Sequence, residues 1–183
     1  MSFGRRDFLR LTAYSVGAFA VLGTANIARA ETPVRPPGAI AESDFLSLCL
    51  RCGRCIDACP EHVLRRATLT EGGLAGLNTP VLTQGCTLCL DCTKECPVEA
   101  LLPIAESEAR MGRIVVDSEL CVGCWLCVRE CPHEALVRNN ETRVVEVDLN
   151  KCVGCGICIP VCPAEENALS LSPEGAHRPR LRG

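Results

Sequence analysis

Apolar residues in this chain fall mostly into short clumps separated by turn-forming residues. One uncharged stretch is longer, from Leu11 to Ala28. The short clumps read as strands. Arg113-Ile114-Val115-Val116-Asp117 is a β-branched strand candidate. Ala135–Arg138 and Arg143–Val147 flank Asn139-Asn140-Glu141-Thr142, and two β-rich stretches around an Asn-rich turn predict a hairpin. Ala168-Leu169-Ser170-Leu171 offers a closing strand that ends at Pro173. The pattern upstream is looser: Val63-Leu64 and Val81-Leu82 bracket a Gly-rich connection from Gly72 to Gly76, and Ala100-Leu101-Leu102 follows. Residues Glu31 to Ser47, with Pro33, Pro36 and Pro37, read as an extended lead-in that covers the first domain.

Between these clumps lie 16 cysteines in four identical spacings. The runs are Cys49-Cys52-Cys55-Cys59, Cys86-Cys89-Cys92-Cys96, Cys121-Cys124-Cys127-Cys131 and Cys152-Cys155-Cys158-Cys162. Each is closed by a proline: Pro60, Pro97, Pro132 and Pro163. The runs are separated by 26, 24 and 20 residues, so the chain is an internal repeat. Strand, cysteine loop, hairpin, cysteine loop, strand is the layout of a two-cluster bacterial ferredoxin. The fold class expected is α+β, two tandem ferredoxin-like domains of small hairpins and short helices. Their bounds are 49–108 and 109–173, after a lead-in at 31–48 and before a flexible tail at 174–183.

Composition makes the cysteines the scaffold. The chain is 48% hydrophobic, yet only 3% aromatic, and cysteine supplies much of the apolar count. Domains this small usually need disulfides or metals to stay folded. The formal charge of −3 excludes a strongly basic nucleic-acid footprint.

The spacing points to 4Fe-4S clusters. A cubane needs four thiolates approaching from different directions. A tight loop with a cysteine at every third residue wraps three corners and cannot reach the fourth. In two-cluster ferredoxins that fourth ligand is the Cys-Pro cysteine of the partner run. Gly53, Gly123, Gly154 and Gly156 fit a backbone that approaches a cluster closely, and the proline turns the chain away. Sixteen cysteines therefore imply four clusters. Sequential pairing gives the sets Cys49, Cys52, Cys55 with Cys96; Cys86, Cys89, Cys92 with Cys59; Cys121, Cys124, Cys127 with Cys162; and Cys152, Cys155, Cys158 with Cys131. Nested pairing, first run with fourth and second with third, is the alternative, and Ala100 to Asp117 would then supply a hairpin.

Three other uses of cysteine compete. Consecutive tight loops are too crowded for a disulfide framework. Zinc explains paired cysteines and leaves the third cysteine and the Cys-Pro unexplained. A redox-active dithiol needs one such motif, not four. Trp125, inside the third loop, reads as apolar cover or as a shield that shifts a cluster's potential. His62 and His133 read as surface or packing residues, because the cysteine sets are already complete. No phosphate loop, dinucleotide fingerprint or nucleophile–base constellation is present, which predicts an electron carrier with no catalytic residues.

The first thirty residues read as an address. Arg5-Arg6 precede Asp7-Phe8-Leu9, the uncharged stretch follows, and Ala28-Arg29-Ala30 is a small-residue cleavage signature. This is the layout of a twin-arginine secretory signal, with a retained membrane anchor as the alternative. Export of an already folded protein suits clusters filled in a reducing cytoplasm. Loss of residues 1–30 changes 19 basic and 22 acidic residues to 15 and 21. Four clusters add roughly two negative charges each, giving an acidic carrier that meets partners through complementary charge.

The chain resembles the MauM/NapG group of periplasmic ferredoxin-type proteins. The residues that carry the resemblance are Arg35-Pro36-Pro37-Gly38-Ala39-Ile40, Cys49-Leu50-Arg51-Cys52-Gly53-Arg54-Cys55 and Ala109-Arg110-Met111-Gly112. It implies a periplasmic electron relay between a membrane quinol-oxidising ferredoxin-type protein and a periplasmic oxidoreductase or cytochrome. Attachment to the outer face of the inner membrane would be peripheral or through a partner. Two other roles are an electron-transfer subunit fixed within a molybdenum-type oxidoreductase and an accessory protein that helps mature a partner enzyme.

Overall fold

The computed structural model describes residues 32–181. The signal expected over residues 1–30 lies outside the described residues. Among those described, no helix is long and apolar enough to cross a membrane.

The second half is the more regular. Strand β3 (Arg113–Val116) pairs antiparallel with β6 (Leu169–Ser172), joining the two ends of the domain, with Val116 opposite Leu169. Between them β4 (Leu136–Arg138) and β5 (Val145–Val147) form the expected hairpin, with Leu136 opposite Val147. Asn139 closes its turn by accepting the N–H groups of Glu141 and Thr142. The buried positions Ile114, Leu136, Val145 and Leu169 meet in one apolar cluster with Cys127, Cys152 and Cys158.

The first half repeats this plan with fewer paired residues. Strands β1 (Leu64–Arg66) and β2 (Pro80–Leu82) form its hairpin. The counterpart of the β3–β6 pair is a single bridge, Ala39 to Leu101. Ile40 N–H donates to Ala100, and Leu102 N–H donates to Gly38. The lead-in therefore serves as the first strand of its domain. It is not extended throughout, because Glu42–Leu48 is helix α1, with Phe45 buried. The Gly-rich connection is likewise a helix, α3 (Leu69–Gly76), kinked at Gly73. Glu71 starts it by accepting the Thr68 N–H at 3.0 Å, satisfying an amide that the helix leaves free.

Arg35 is fully buried and ties lead-in, hairpin and α1 together. Its guanidinium donates to Thr79 Oγ1 at 2.7 Å, to the Pro80 carbonyl at 3.0 Å and to Glu42 at 2.5 Å, and lies 4.7 Å from the Phe45 ring centre. A rigid fork of donors can satisfy three partners at once.

The two halves share apolar cover. The cluster around Phe45 and Leu101 takes in Met111, Cys155, Val153 and Leu171 from the second half. Residues 174–181, expected as a flexible tail, are tied down: His177 N–H donates to the Arg110 carbonyl at 2.8 Å, Arg113 pairs with Glu174, and Arg178 is half-buried.

Candidate iron–sulfur centres

Each cysteine loop uses two left-handed residues at the same places, two and four positions after its first cysteine. These are Arg51 and Gly53, Leu88 and Leu90, Gly123 and Trp125, and Gly154 and Gly156, with φ between 56° and 87°. Only half are glycines, so the requirement is partly invisible in the sequence. Left-handed residues spaced this way turn backbone N–H groups toward the inside of a loop, which favours negative charge there. Gly53, Leu90 and Trp125 then start the short helices α2 (Arg54–Asp57), α4 (Asp91–Lys94) and α5 (Leu126–Arg129). Two Cys-Pro cysteines receive a backbone donor: Leu101 N–H reaches Cys96 Sγ and Ala135 N–H reaches Cys131 Sγ, each at 3.4 Å.

The loops gather their thiols around voids. Cys49, Cys52, Cys55 and Cys96 line one. Cys121, Cys124, Cys127 and Cys162 line another, and Cys131, Cys152, Cys155 and Cys158 a third. The remaining four also meet, since Cys92 has Cys86, Cys89 and Cys59 among its charged neighbours. Every group contains three cysteines of one run and the Cys-Pro cysteine of its sequence neighbour. Cys162 faces the Cys121 loop and not the Cys49 loop. The segment from Ala100 to Asp117 forms no hairpin; it holds a 3-10 turn at Glu106–Glu108, and its strand pairs with β6.

These sites disfavour bare thiolates. Burial, followed by the neighbouring cysteines, pushes Cys55, Cys92 and Cys158 up to about 12. Cys86 and Cys127 rise to about 11, again chiefly by burial, and Cys155 rises for the same reason. Four thiolates around one desolvated void repel each other unless cationic charge lies between them. A 4Fe-4S core meets that condition.

Comparison with known proteins agrees with this chemistry. Residues 48–100 match one family of 4Fe-4S dicluster domains, and residues 107–171 match a second. The chain therefore carries two tandem 4Fe-4S dicluster domains. It is 44% identical over 133 residues to the ferredoxin-type protein NapG of Escherichia coli, covering 65% of this chain and 57% of that one. It is 41% identical over 103 residues to the methylamine utilization ferredoxin-type protein MauM of Methylobacillus flagellatus, covering 52% and 43%. To the MauM of Paracoccus denitrificans it is 37% identical over 134 residues, covering 64% and 58%. The chain thus spans about half the length of the curated relatives it matches.

The relatives are named ferredoxin-type proteins, and both matched domains are of the iron–sulfur dicluster kind. A Cβ on Gly154 would lie 2.6 Å from the Gly112 backbone, and one on Gly156 would lie 2.9 Å from the Gln84 Cα. Both glycines thus allow close contact between chain segments. Trp125 lines the void with Cys121 and Cys124, and its ring lies 6.0 Å from the Arg138 guanidinium. His62 is exposed, while His133 is half-buried in the wall beside Cys131.

Proposed function

We propose that this chain is a periplasmic relay that carries electrons through four 4Fe-4S clusters, from a quinol-linked membrane partner to a periplasmic oxidoreductase or cytochrome. The observation behind this reading is the composition of the four thiol groups, three cysteines from one loop and one Cys-Pro cysteine from the neighbouring loop. In this reading Cys49, Cys52, Cys55 and Cys96 hold the first cluster, and Cys86, Cys89, Cys92 and Cys59 the second. Cys121, Cys124, Cys127 and Cys162 hold the third, and Cys152, Cys155, Cys158 and Cys131 the fourth. When bound, such a cluster supplies a one-electron couple whose potential depends on charge, burial and hydrogen bonds to sulfur. The chain's own residues supply those controls. Backbone N–H groups bonded to Cys96 and Cys131 favour negative charge on those sulfurs. The apolar side chains around them exclude water. Export by the twin-arginine route after clusters are inserted belongs to the same proposal.

Iron and sulfide analysis of protein purified without oxygen tests the cofactor count, with about sixteen iron atoms per chain expected. A redox titration of the same sample tests the relay. Clusters that stay oxidised throughout the range of quinol-linked carriers would favour a structural or maturation role instead.

A further inference from the structure

The halves of the molecule meet at a backbone junction between the second and fourth loops. Gly85 N–H and Cys86 N–H both donate to the carbonyl oxygen of Cys155, each at 2.9 Å. Beside them Gly156 lies so close to Gln84 that a Cβ would be 2.9 Å from its Cα and 3.1 Å from its Cβ. Two residues earlier, Gly154 packs on the backbone of Gly112, and Met111 N–H donates to the Val153 carbonyl at 2.9 Å. Loop spacing does not require glycine at position 156. The equivalent residues in the second and third loops are Leu90 and Trp125, at φ 62° and 63° against 73° for Gly156. What excludes a side chain from Gly156 is the neighbouring half.

We propose that this junction, two amides of the second loop on the Cys155 carbonyl with Gly156 against Gln84, positions the two inner thiol groups as neighbours and orders all four in a line. The inner groups are Cys59, Cys86, Cys89, Cys92 and Cys131, Cys152, Cys155, Cys158. The ends are Cys49, Cys52, Cys55, Cys96 and Cys121, Cys124, Cys127, Cys162. The proposal rests on the four-cluster reading above and adds which groups are internal. Each remaining step of the line has its own near pair, Cys55 beside Cys92 and Cys127 beside Cys158. Burial follows the same order. In the inner groups Cys59, Cys86, Cys92, Cys152, Cys155 and Cys158 are all buried, and Cys89 alone is exposed. Each end group presents an exposed cysteine, Cys52 or Cys124, next to an exposed aliphatic residue, Leu50 (63%) or Val122 (60%). Order along the line therefore differs from order along the chain: the third loop, not the fourth, lies at the far end.

The test compares iron-replete wild-type protein with Gly156→Leu by electron paramagnetic resonance after full reduction with dithionite. Leu90 shows that this loop position accepts leucine, so about sixteen irons are expected in both proteins. Wild type should show spin–spin broadening across four centres. Gly156→Leu should lose the part that links the halves and leave the narrower spectrum of two separate pairs. Identical broadened spectra at equal iron content would overturn the proposal. Iron well below sixteen in wild type would instead overturn the four-cluster reading. Amide exchange on iron-replete wild type gives a second, variant-free answer. Gly85 and Cys86 should exchange at least about a hundredfold more slowly than free amides, and rapid exchange of both would also sink the junction.

Discussion

At the scale of single residues, the decisive feature is which Cys-Pro cysteine meets which loop. Cys96 faces the first loop although it ends the second run. Cys96→Ser should therefore release Cys49, Cys52 and Cys55 to alkylation and leave Cys86, Cys89 and Cys92 protected, with a loss of about four irons. Peptide mass spectrometry after labelling reads the pattern, and the reverse pattern would refute the pairing. Trp125 lines the void of the Cys121 group. Replacing it with alanine should admit water, which stabilises the more negative reduced form. The potential of that centre should rise by on the order of tens of millivolts, read by spectroscopic titration. Arg35 has no exposed surface and holds Thr79, Pro80 and Glu42 at once. Arg35→Ala should cost about 3 kcal/mol of stability, because buried partners lose their donor. Arg35→Lys should recover only part of this, since a point charge cannot reach all three; chemical denaturation measures both.

Among the elements, the short ones survive through local devices. Helix α3 carries three glycines, yet it forms because Glu71 accepts the Thr68 N–H and pairs with Arg65. The Arg65 guanidinium, then the Thr68 amide, hold the Glu71 carboxyl down at about 2, against an ordinary 4.5. A lowered carboxylate pKa means that the contribution is complete above pH 4.5 and fades as pH falls toward 2. Helix α3 and β1 should fray in that window, seen as faster amide exchange over residues 64–76, and Glu71→Gln should fray at every pH. The pair is partly exposed, so the effect stays local. The sheets were legible to different degrees. The β4–β5 hairpin and the β3–β6 pair were readable because β-branched runs flanked a turn or closed a domain. Helices α1 and α3 were not: the prolines before α1 read as extended chain, and the glycines within α3 outweighed its Thr68–Glu71 cap.

For the molecule as a whole, the thiols are part of the core rather than additions to it. Cys59, Cys86, Cys92 and Cys155 belong to one apolar cluster, and Cys127, Cys152 and Cys158 to the other. Removing iron should therefore unfold the chain and not merely bleach it, because ligand binding and folding share the same free energy. Far-ultraviolet circular dichroism during anaerobic chelation checks this. Retention of the native spectrum in iron-free protein would show a core that stands alone.

Local spacing by itself determined the number of cysteine loops, the reach of each loop and the strand pattern of the second half. Two residues between successive loop cysteines set the curvature of the chain directly, and β-branched runs declare a strand without help from elsewhere. Tertiary structure alone decided which Cys-Pro cysteine closes each void, that Arg35 is buried, and that the second and fourth loops touch. Those outcomes depend on groups tens of residues apart meeting in a small core, where a carbonyl, two amides and two glycines accept one arrangement and exclude the others.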